Sequence, residues 1–140
     1  MDASSRKPWL RSLILVGAAY FVVGMAFGSF AGWSASNQMR VTWRVLAFLV
    51  SAIVFAINIG YEYFQLGNSP RTTALHAAGA VAVGAFALAV AANVHGLWAG
   101  SSHQRLLVFA LVAWPVLTAV PAFVVALVAT AGLKLWRRST

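Results

Sequence analysis

Four long apolar runs, with a single carboxylate inside them, leave this chain few ways to fold. They occupy residues 12–33, 45–64, 74–94 and 106–133, and the carboxylate is Glu62. At about 1.5 Å per helical residue, each run is long enough to cross a hydrocarbon core of about 30 Å. No charged residue lies between Arg11 and Arg40, or between Arg105 and Lys134. With no water to satisfy exposed backbone groups, runs of this kind can only be helices. The expected fold is therefore an all-α integral membrane protein, a four-transmembrane-helix bundle. It forms one membrane domain over residues 1–140, with spans at about 12–33, 43–64, 72–95 and 105–135.

The first run follows a basic start, as in a secretory signal. Its apolar core of about 20 residues exceeds the roughly 7–15 of a cleavable segment, so it is expected to remain as the first span.

The net charge of +8 is distributed as a membrane protein requires. Basic residues flank the runs and form no patch with interleaved aromatics, which argues against a nucleic-acid partner. Four spans put both termini on one side. That side collects Arg6, Lys7, Arg11, Arg71, Lys134, Arg137 and Arg138, against Arg40, Arg44 and Arg105 on the other. The excess predicts cytoplasmic termini, in a multi-pass protein of a bacterial inner (plasma) membrane. Trp33, Trp43 and Trp98 then fall at the outer interface, and Trp9 and Trp136 at the inner one.

The inner connection, Gln65-Leu-Gly-Asn-Ser-Pro-Arg-Thr, carries a helix stop at Gly67 and a cap at Asn68 or Ser69 ahead of Pro70. So tight a turn predicts that the second and third helices are antiparallel neighbours. Small residues mark two faces suited to close approach: Gly17, Gly24, Gly28 and Gly32 in the first run, and Ala78, Ala82, Ala85, Ala89, Ala92 and Gly96 in the third. Packing within the bundle is the expected use of both. The fourth run contains Pro115 and Pro121, with Thr118 placed to return its hydroxyl to the carbonyl of Trp114.

Ser51, Asn58, Glu62 and Gln65 lie within about 60° of one another on a helix at 100° per residue. Arg71 and His76 follow on the same side of the membrane. An ionisable group inside a span is a candidate site with a named partner, and the partners here are Arg71 and His76. The candidate binding residues are thus Glu62, Asn58, His76 and Arg71, either as a proton-linked or cation site or as a pair that pins one helix to the next.

No catalytic constellation is present: there is no paired carboxylate, nucleophile with adjacent base, or phosphate loop. The chain has no cysteine. His76 and His95 stand about 28 Å apart along one helix and cannot share a metal. No metal site and no resident cofactor are expected. A single histidine would serve as axial ligand to a pigment or haem only if a partner chain supplied the rest.

Two functions fit. The first is a structural or accessory subunit of a larger membrane complex, with the lipid bilayer and other membrane subunits, or further copies of itself, as partners. The alternative is a small oligomeric channel or transporter for a lipophilic or cationic substrate, using a Glu62-centred site. The spans hold few polar groups for a hydrophilic path, which places the accessory role first.

Overall fold

Two serines set where two of the helices begin. Ser36, in an extended conformation, accepts the Met39 N–H at 3.2 Å, and Ser69 accepts the Thr72 N–H at 3.3 Å with Pro70 in the first turn behind it. Each side-chain oxygen satisfies a donor that the helix itself leaves without a partner. In the computed structural model, which describes residues 8–100 and 102–139, the chain is all-helical. It comprises α1 (Pro8–Trp33), α2 (Asn37–Gly60), α3 (Pro70–Trp98) and α4 (Gln104–Ser139), and a π-helical turn over Tyr61–Gln65 extends α2. All four are long and apolar enough to cross a membrane.

The helices outrun the apolar stretches because a charged residue at a helix end need not interrupt it. α2 takes in Arg40 and Arg44 before its apolar run begins, and α4 continues through Lys134 and Arg137. Pro115 and Pro121 do not break α4, which remains one helix of 36 residues. Thr118 Oγ donates to the carbonyl of Trp114 at 2.9 Å, the arrangement expected from their spacing.

Gly67 and Gly100 end α2 and α3 with positive φ, +61° and +63°, which only glycine adopts without strain. The turn at Gly67 joins α2 to α3, yet the two are not neighbours along their length. α1 lies between them: it packs on both α2 and α3, and α3 packs most extensively on α4. The helices therefore form a curved row, α2–α1–α3–α4. This corrects the neighbour relation expected from the short connection, because a tight turn fixes only the ends that it joins.

The α1–α3 approach explains part of the glycine pattern. A Cβ at Gly84 would stand 2.6 Å from Tyr20 Cβ and 2.9 Å from the Gly17 carbonyl, and one at Gly17 would meet Val83 Cγ1 at 2.9 Å. Gly28 and Gly32 have nothing within 4 Å of such a position. The first-helix glycines thus divide into a packed pair and an open pair. On α3, Ala78, Ala85, Ala89 and Gly96 are buried as expected, but Ala92 is exposed and Asn93 takes the inward place beside it. Ala74, Ala77, Ala80 and Gly84 are buried as well, because α3 is covered from two sides.

The row closes on itself at one end only. There Ile59 of α2 meets Ala74 and Ala77 of α3 and Ala126 of α4, with Phe55, Phe123 and Leu127 packed around them. Further along, α2 and α4 stand apart.

Candidate functional site

The closed end of the bundle holds the only described carboxylate. Glu62 is 1% exposed, on the π-helical turn. A charged group in this position needs partners, since an unpaired carboxylate out of water is costly. It has two. His76 Nδ1, on the second turn of α3, lies 2.9 Å from Glu62 Oε2, and Asn68 Nδ2 donates to the same oxygen from the connecting loop. The contact to His76 is an ion pair when the imidazole is protonated and a hydrogen bond when Nδ1–H is neutral. On its face His76 carries the indole of Trp9, with centroids 4.9 Å apart and planes at 11°.

One turn away, Asn58 is also buried, and its Oδ1 accepts from Ser12 Oγ at 3.3 Å. Together the contacts join α1 (Trp9, Ser12), α2 (Asn58, Glu62), the loop (Asn68) and α3 (His76). Thr73, three residues before His76 on α3, is fully buried, and its hydroxyl has no hydrogen-bond partner among the described residues.

Of the four expected site residues, the structure brings Glu62 and His76 into contact and buries Asn58 beside them, bonded to α1 instead of to the carboxylate. Arg71 is exposed, and Glu62 pairs with His76 and not with it. Gln65 leaves the polar stripe. The π-helical turn, closed by Leu66 N–H to the Tyr61 carbonyl at 3.3 Å, holds more residues than an α-turn, so Gln65 rotates off the Glu62 face and is exposed.

Three members of this cluster escape a reading of the sequence. Trp9 and Ser12 belong to a distant run, and nothing local signals their contact with α2 and α3. Asn68 was legible only as a helix cap; Ser69 takes that role, which leaves the Asn68 amide for Glu62. Asn68 also donates its backbone N–H to the Glu62 carbonyl at 3.3 Å, so the loop closes on the residue from both directions.

A second polar node lies toward the far end. Asn93 Nδ2 donates to the Ala89 carbonyl at 2.9 Å and to the Leu107 carbonyl of α4, and Gln104 Nε2 stands 3.5 Å from Asn93 Oδ1. It ties α3 to α4 as Glu62 ties α2 to α3. Deep in α4, the buried Thr130 hydroxyl returns to the Ala126 carbonyl at 2.7 Å.

Between the two nodes, where α2 and α4 separate, lies a cavity of about 530 Å³. All four helices contribute to its wall, which is apolar apart from Tyr20, Ser51 and Thr118. The Tyr20 hydroxyl is buried with no hydrogen-bond partner among the described residues. Among the described residues, no three His, Asp or Glu side chains come together to hold a metal ion. No family model, curated protein or solved structure matches this chain.

Proposed function

We propose that the chain is a structural or accessory subunit of a larger membrane complex, a multi-pass protein of a bacterial inner membrane with both termini in the cytoplasm. One observation carries this reading. The strongest polar groups within the helices are engaged in holding the bundle together: Glu62 with His76 and Asn68, Asn58 with Ser12, Asn93 with α4. A conducting path needs groups free to replace the hydration shell of an ion, and the central cavity offers three scattered hydroxyl-bearing side chains. The charge bias of the loops supports the orientation. Gentle solubilisation followed by mass spectrometry tests the role: other subunits in stoichiometric amounts are expected. A chain that purifies only with itself would remove the accessory assignment.

A small oligomeric transporter is the second reading, favoured by the buried pair of ionisable side chains, Glu62 and His76. It requires that the pair open to a proton or substrate during turnover. Transport that depends on pH in the native chain and loses that dependence in Glu62→Gln would support it, and identical profiles would exclude it.

A further inference from the structure

At the end of the bundle opposite Glu62, α1 and α2 enclose a groove of about 600 Å³. One wall is α1, with Gly24, Phe27, Gly28, Ala31 and Gly32, of which Gly28 and Gly32 are the open positions, and the other is α2 with Arg40, Arg44 and Ala47. Arg40 and Arg44 are four residues apart and share one helix face. Arg40 Nε donates to the Ser34 carbonyl at 3.1 Å, which fixes the base of the guanidinium and leaves its terminal nitrogens for another acceptor.

Neither arginine meets a carboxylate among the described residues. The chain has two acidic side chains. Asp2 lies outside the described residues. Glu62 lies about 27 Å beyond Arg44, at 1.5 Å per residue, and is paired with His76. Both guanidiniums are exposed and, among the described residues, have no carboxylate partner, which leaves them open to an anion from outside the chain.

The depth of the groove is marked independently. Phe27, Phe30, Trp33 and Trp43 cluster beside it, with Phe30 and Trp43 centroids 5.0 Å apart and Phe30 and Trp33 6.2 Å apart. Tryptophans favour headgroup level, and with Trp33 and Trp43 there the arginines would stand among phosphates and Gly28, deeper along α1, among acyl chains. Gly24 and Ala47 line both this groove and the central cavity, so the two adjoin there.

A cationic mouth, a floor opened by Gly28 and Gly32, and an apolar interior match an amphiphile with an anionic head. We propose that this groove binds one anionic phospholipid, its phosphate held by Arg40 and Arg44 and one acyl chain laid over Gly28 and Gly32 toward the central cavity. Phosphate and guanidinium pair through parallel hydrogen bonds, which a zwitterionic lipid offers with less net charge. A bare glycine face lets a chain approach the helix backbone without displacing side chains.

The test uses the full chain in mild detergent, with phosphatidylglycerol or phosphatidylcholine of identical chains, or inorganic phosphate, added. Bound lipid is read by native mass spectrometry and stability by the thermal midpoint. Phosphatidylglycerol should be retained at least about tenfold over phosphatidylcholine, and inorganic phosphate should give no thermal shift. In the double variant Arg40→Gln/Arg44→Gln that preference should disappear. Gly28→Leu, which adds a side chain where nothing lies within 4 Å, should fold with an unchanged midpoint in detergent alone yet lose phosphatidylglycerol. Equal retention of the two lipids, or unchanged retention in both variants, overturns the proposal. A shift with inorganic phosphate equal to that with lipid would assign the arginines to a free anion and also overturn it. If Gly28→Leu instead turns a dimer into a monomer with lipid retention unchanged, a second copy fills the groove and no lipid does. Co-purifying subunits bear on none of these outcomes, so the lipid site and the accessory role fail separately.

Discussion

The close approach of α1 and α3 at Gly84 supplies a sharp test of the fold. At Gly84, an added methyl group would stand 2.6 Å from Tyr20 Cβ and 2.9 Å from the Gly17 carbonyl, both fixed by the backbone of α1. Carbon atoms rest about 3.5–4.0 Å apart, so Gly84→Ala forces α1 and α3 apart by about 1 Å near the crossing. A gap of that size forfeits a quarter to a half of each dispersion contact around it, and overpacking of this kind costs about 1–3 kcal/mol. The helix preference of alanine over glycine offsets at most about 1 kcal/mol. Gly24→Ala is the informative comparison. Its Cβ would come nearer still to a neighbour, 2.5 Å from Leu88 Cδ1, but Leu88 is a flexible side chain that borders the central cavity and can swing into it. Gly132→Ala, with nothing within 4 Å, is the control. Thermal midpoints in detergent should fall most for Gly84→Ala, less for Gly24→Ala and not at all for Gly132→Ala. If Gly84→Ala melts with the control, α1 and α3 do not cross at this point and the helix order proposed for the bundle fails with it.

Removing the Glu62 carboxyl should cost more than neutralising it: Glu62→Ala strands the Asn68 amide and the His76 imidazole, at about 1–3 kcal/mol for each group left unsatisfied, whereas Glu62→Gln keeps an acceptor. Equal midpoints for the two variants would show that these contacts contribute nothing. Ala89→Leu should destabilise more than Ala85→Leu, because both positions are buried, at 5% and 6% exposure, but only Ala85 borders the cavity where a larger side chain finds room. The reverse order in a melting assay would place the cavity elsewhere. Cysteines introduced at Ser4 and Ser139, whose side chains lie outside the described residues, should resist an impermeant thiol reagent applied outside the cell. Labelling of either would reverse the assigned orientation.

That the chain forms four long apolar helices was legible in the sequence, because a lipid-facing helix must be apolar along its own length whatever it packs against. Local chemistry also placed the ends of the connecting turn, where Gly67 takes the left-handed conformation, Ser69 caps and Pro70 opens the next helix. The Thr118 hydroxyl returned to Trp114 for the same reason, since residues four apart on one helix need no tertiary information to meet. Glu62 stood out as the one carboxylate in an apolar run, and that alone made it a candidate.

Only the tertiary structure decided what these features face. In lipid nearly every helix face is apolar, so periodicity no longer separates the buried side from the exposed one. Four glycines in α1 therefore looked equivalent, yet Gly17 and Gly24 meet α3 while Gly28 and Gly32 open onto a groove. The partner of Glu62 was similarly underdetermined: Arg71 and His76 are both near in sequence, and the rotation of α3 turned His76 inward and Arg71 outward. Trp9 and Ser12 joined that cluster because α1 lies between α2 and α3, an arrangement set by which small residues let backbones approach. Helix order in a membrane is a property of pairs of surfaces, and a single sequence read along its length records only one surface at a time.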